Sequence, residues 1–229
     1  AIGQGVGTTA AYLSENDLKA NKLLNDPNAI FKIQQRLLRD DAYLIGKLNS
    51  DPLDLALKST VTASSEQAVG KAINIISGQT RSLHGNKGAL SSRVISGTQR
   101  WMSKQGNKFP EYIELIWSKQ ITVGEIQIIF DSGMHRVLTL SHSDAYVDKM
   151  IWGYPQPELV KDYLIEGFLD GNKIPILKIL NNYQRKNSHV LDSVFVLDRI
   201  RITVLSTNGI DHARINEVRI YASSKRSFK

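Results

Sequence analysis

The spacing of apolar residues changes near residue 50. Before it, apolar positions recur three and four apart. Ile2, Val6, Ala10 and Leu13 share one helical face, residues 17–24 carry a second short apolar–polar pattern, and Ile30, Ile33, Leu37 and Leu38 mark one face of a third helix. Asp26-Pro27 opens that third helix, with Asp as the cap and Pro at the first position, and the pattern fades near Asp40. Asn49-Ser50-Asp51-Pro52 reads as a turn. From Thr60 onward the period falls to two, in residues 60–63, 112–117, 125–130, 163–168, 174–180, 199–204 and 216–221, with turn residues between them. The pattern predicts a mainly β fold: a helical segment over 1–50, then an antiparallel sandwich domain over 51–229 of roughly eight strands. Residues 224–229 read as a loose basic tail.

Composition narrows the chemistry. A 229-residue chain that is 41% apolar can bury a real core, as one large domain or two small ones. No apolar run approaches the length that crosses a bilayer. The absence of Cys excludes disulfides, thiolate metal sites and cysteine nucleophiles. The formal charge of +7 is spread along the chain, and no basic stripe interleaves with stacking aromatics, so nucleic acid is not an expected partner. The five histidines, His84, His135, His142, His189 and His212, show no helical i, i+4 pairing, and no G-x-S-x-G motif is present. Trp101 and Trp117 read as core residues.

Several segments, in order, resemble the discoidin or coagulation-factor type of β-sandwich, also called galactose-binding-like. They are Thr62-Ala63-Ser64-Ser65, residues 74–78, Trp101-Met102-Ser103, residues 112–115 and the closing Ala213 to Tyr221. The resemblance implies a jelly-roll sandwich. It also implies a structural Ca²⁺ turn, for which Ser77, Thr80 and Glu217 are the matching positions, with Ser77 where the family turn usually has Asp. Carbohydrate-binding members of this fold use loops at one end, with an aromatic platform and a few polar groups. Here Trp152 and Tyr154, with Arg136 near in sequence and His135 or His142 as further polar groups, form such a candidate site. The same Pro-bracketed aromatics serve equally well as a packing surface.

A second resemblance begins at the first residues. Gly3-Gln4-Gly5-Val6-Gly7-Thr8-Thr9-Ala10-Ala11 is similar to the last flavin-proximal segment of bacterial FAD-dependent oxidoreductases, and residues 37–44, 157–163 and 182–185 are similar to segments that follow it in that family. Together these imply that the chain is the C-terminal, accessory part of a flavoprotein. Its sandwich would brace the flavoprotein body or recruit substrate, and its partner would be the N-terminal FAD-binding part. In that parent Gly3, Gln4, Gly7 and Thr8 would face FAD through a helix N-terminus. The alternative for Gly3, Gly7 and Ala11, four apart, is close helix packing. No strand, G-x-G-x-x-G turn and ribose-binding acid occur together here, so the chain alone is expected neither to hold FAD nor to be catalytic. Helices exposed without that body would also drive homodimerisation.

Overall fold

The computed structural model describes residues 2–81, 99–106, 108–134 and 153–224. Three helices come first: α1 (Ile2–Glu15), α2 (Ala20–Leu23) and α3 (Pro27–Arg39). The Asp26 carboxylate accepts from Ala29 N at 3.0 Å and Pro27 fills the first turn, as the sequence predicts. Tyr12, Ala29, Ile33 and Leu37 form a small core between α1 and α3. The helix α3 ends in a Schellman motif: Asp41 N donates to Leu38 O and Ala42 N to Leu37 O. The left-handed position is held by Asp41, at φ 62°, rather than by Gly.

Among the described residues seven strands follow: β1 (Thr60–Ala63), β2 (Trp101–Met102), β3 (Glu111–Phe130), β4 (Val160–Leu169), β5 (Asn172–Ile179), β6 (Lys186–Thr207) and β7 (Arg214–Tyr221). They hydrogen-bond in the order β2-β7-β3-β6-β4-β5, with β1 on β3, and every pair is antiparallel. The sequence predicts separate strands at 112–117 and 125–130, but these are two halves of β3. Exposed Ser118, Lys119 and Gln120 leave the ladder to β6 between Ile116 and Ile121, and the pair bends there. The bend curls the sheet into two layers. One holds β1, the first half of β3, the second half of β6, β4 and β5. The other holds β2, β7, the second half of β3 and the first half of β6.

Between the layers lie Trp101, Ile113, Leu115, Ile126, Ile128, Phe130, Tyr163, Ile165, Ile200, Ile202, Ile215 and Val218, all fully buried. Each such side chain contributes about 1.5–3 kcal/mol by leaving water. Trp101 and Trp117 are core residues whose ring N–H groups are satisfied by Ser65 O at 2.9 Å and Leu55 O at 2.8 Å. The Tyr163 hydroxyl lies 2.9 Å from His189 Nε2, and burial holds the His189 imidazole below its usual value. The architecture is a galactose-binding-like β-sandwich preceded by a helical segment.

Candidate functional site

Because the sheet curls in the middle of its long strands, the free ends of both layers fall on one side. Loops 64–71, 103–110, 131–134, 153–159, 180–185 and 208–213 meet there. Lys104 N donates to Ser65 Oγ, Gly106 N to Asp211 Oδ2, Ile210 N to Pro157 O, and Asn208 N to Leu159 O. Asn182 Nδ2 donates to Val160 O, which ties the β5–β6 loop to the same end.

A chain of charged side chains crosses this end. Asp131 Oδ2 pairs with Arg100 Nε at 3.1 Å and Arg214 Nη1 at 3.4 Å, while its other oxygen accepts from Gly133 N. Arg214 Nε donates to His212 Nε2 at 2.9 Å. A guanidinium only donates, so His212 accepts at Nε2 and carries its hydrogen on Nδ1, 2.7 Å from Asp211 Oδ1. That hydrogen bond, with the one from Gly106 N, holds the Asp211 carboxyl below the usual carboxylate range. Burial lowers the Arg100 guanidinium from its ordinary value, opposed by the charges of Asp131 and Glu158. Arg100, Asp131 and His212 are buried, whereas the Asp211 side chain is 59% exposed. The network therefore presents one oriented, ionised carboxylate to solvent. On adjoining loops, Tyr154 and Tyr183 are 75% and 71% exposed.

Of the aromatic and polar residues singled out for sugar contact, Tyr154 lies on this end. Trp152, Arg136, His135 and His142 lie outside the described residues. The sequence does not mark Asp211, His212, Arg214, Asp131 and Arg100 as one site. The run Asp211-His212-Ala213-Arg214 before the last strand was the available signal, but its partner Asp131 is 83 residues from Arg214.

The glycine-rich opening is helical from Ile2, so the Gly7 and Thr8 amides bond within α1 and are not the exposed N-terminal donors expected of them. A Cβ built on Gly3, Gly5 or Gly7 would meet nothing within 4 Å. No close backbone among the described residues uses that face. A groove of ≈ 410 Å³ lies beside α1 and α3, lined by Thr9, Leu23, Ile30, Ile33, Leu37 and Leu44 among others.

The turn at 77–80 meets Glu217 through the Gly78 amide, which bonds its carboxylate, but Ser77, Thr80 and Glu217 already have partners within the chain. Ser77 Oγ accepts from Gln79 N at 3.3 Å within its own turn. The Thr80 carbonyl accepts from Arg185 Nη2, and its side chain bonds Asp41. Glu217 is fully buried with Arg219 Nε at 3.5 Å. A guanidinium beside the carboxylate repels a divalent ion, so these residues do not fit the metal. Among the described residues, no three His, Cys, Asp or Glu side chains cluster as metal ligands, and no helix is long and apolar enough to cross a membrane.

Neither a family model nor a curated protein matches the chain. Solved structures do. One is the family 32 carbohydrate-binding module of C. perfringens NanJ in complex with galactose, at 17% identity and TM-score 0.51, covering 72% of this chain and 95% of that one. Another is a Clostridium perfringens module in complex with GalNAc-β-1,3-galactose, at 15% identity and TM-score 0.52, covering 74% and 99%. A third is chitosan-binding module 1 of a Paenibacillus sp. IK-5 chitosanase/glucanase, at 16% identity and TM-score 0.51, covering 73% and 98%. The likeness is one of fold, and it leaves over a quarter of this chain outside each match.

Proposed function

We propose that the sandwich is a glycan-recognition module that binds sugar at the loop end of its layers. The observation that carries this reading is the presence of an exposed Tyr154 and the oriented Asp211 carboxylate on two loops joined by the Ile210 N to Pro157 O hydrogen bond. An aromatic face takes the C–H face of a pyranose, and an ionised carboxylate accepts hydroxyl hydrogens in charge-assisted bonds. Arg214 and His212 lock Asp211 before ligand arrives, which reduces the ordering cost of binding. The solved modules of the same fold, with galactose or GalNAc-β-1,3-galactose bound, support the choice of ligand class. Glycan-array screening followed by calorimetric titration tests it. Binding to a galactose-type or amino-sugar glycan is expected, weakened about tenfold or more, or about 1.4 kcal/mol, by Tyr154→Ala and by Asp211→Asn. No glycan binding, or variants that bind as tightly as the parent, discards the reading.

A second reading concerns the setting of the module: an accessory region of an FAD-dependent oxidoreductase, with the flavin held by a body outside this chain. It is supported by the residue-level resemblance of 3–11 and by the open glycine face of α1, where Ile2 and Val6 are 86% and 65% exposed. A dinucleotide-binding fingerprint encoded upstream of Ala1 is expected, and an upstream frame without one removes this reading.

A further inference from the structure

On the outer face of the second layer, β7 and the adjoining half of β3 are buried as completely as on their inner face, whereas the neighbouring β6 positions stay open, with Val190 58% exposed. Glu125, Gln127, Glu217 and Arg219 are each 0% exposed and Tyr221 is 1% exposed. The outer face of an antiparallel sheet is ordinarily solvated and polar. Here the polar residues remain, but the end of α3 and the segment after it lie over them. Three carboxylates, Asp54, Glu125 and Glu217, are thereby enclosed with two guanidinium groups, Arg39 and Arg219. Arg39 Nη2 pairs with Glu125 Oε2 at 2.6 Å, and its guanidinium stacks 3.6 Å from the Tyr221 ring centroid. That leaves Asp54 and Glu217 facing Arg219.

Arg219 makes two further connections. Its Nη1 donates to Leu38 O at 2.6 Å, a carbonyl in the last turn of α3 where the helix dipole is negative. On the strand beside it, Ile220 N donates to Asp54 Oδ1, while Asn49 Nδ2 holds Asp54 Oδ2. One fixed positive group thus touches or faces the last strand, the helix end and the segment at 49–54. The implied calcium would link the same last strand, through Glu217, to the turn at 77–80. That turn lies against this segment through Asn49 N to Gly78 O, 3.0 Å.

We propose that Arg219 is a resident cation of this sandwich: its guanidinium stands beside the acidic groups of the last strand and the 49–54 segment, Glu217 and Asp54, in place of a divalent metal, balances whichever of them is ionised, and bolts the helical segment to the sheet. The stability of the fold then depends on Arg219 and on α3 rather than on calcium.

Two measurements on the full chain test this. Scanning calorimetry in excess EDTA and in millimolar calcium is expected to give the same melting temperature within about 1 °C. A larger fall in EDTA shows that a bound metal stabilises the fold and overturns the proposal. Arg219→Met is expected to lower the melting temperature by more than about 5 °C. Glu217→Gln should then be more favourable, or less costly, in the Arg219→Met background than in the parent at about pH 9, because it removes the charge left uncompensated. Equal effects of Glu217→Gln in both backgrounds overturn the proposal. If Arg219→Met does not fold, the chelator measurement still decides it.

Discussion

Gly78 sits in the turn that follows residues 72–76, at φ +81°, with its carbonyl accepting from Asn49 N. A Cβ there would lie 2.8 Å from Asn49 O. Backbone conformation and space both demand glycine. Gly78→Ala is therefore expected to destabilise the protein by about 1–3 kcal/mol in chemical denaturation, and a cost near zero would show that the turn and the segment at Asn49 can move apart. At the loop end, the same scale explains His212. The sequence alone reads it as a surface or a satisfied histidine, and the structure makes it the second, 3% exposed with both ring nitrogens engaged. Its contribution is to aim Asp211.

Among the elements, the end of α3 shows a conflict resolved in favour of charge. A Schellman end ordinarily has Gly at the left-handed position. Asp41 stands there instead, and its carboxylate pairs with Arg185 Nε at 3.1 Å and Arg81 Nη2 at 3.6 Å. Burial pushes the Asp41 carboxyl up, but the Arg185 charge and hydrogen bond, with Thr80 and Arg81, pull it below its ordinary value. Asp41→Gly would relieve a strain of about 1 kcal/mol and leave two partly buried arginines without their anion. A net loss of about 2 kcal/mol is expected from urea denaturation. A gain in stability would mean that the ion pair contributes nothing to docking of the helical segment.

The whole molecule inherits a pH dependence from its enclosed acids. Burial raises Asp54 to about 6, and burial raises Glu217 to about 8 against the pull of Arg219. The folded state therefore keeps protons that the unfolded chain has released, so stability falls as pH rises toward those values. Below about pH 6.5 His189 acts in the opposite sense, since its lowered value makes folding resist its protonation. The clean interval is the alkaline one. Melting temperature is expected to fall between about pH 6.5 and 8, and Glu217→Gln should flatten that limb. A melting temperature that rises steadily across the interval contradicts the burial of Glu217 as a protonated group.

Local sequence alone determined the change from helix to strand near residue 50, the cap at Asp26 and most of the strands. Those features arise from neighbours in the chain: a hydrophobic stripe, a side chain three residues from an amide, an alternation of faces. Tertiary structure decided the rest. That residues 112–117 and 125–130 are one bent strand depends on pairing with β6, and the Asp131–Arg214 contact joins residues 83 apart. Glu217 looks like a metal ligand from its place in the last strand, yet Arg219 and Asp54 surround it only once the sheet has curled and α3 has docked. Charge neutralisation in a buried layer depends on which segments meet, and no local spacing encodes that.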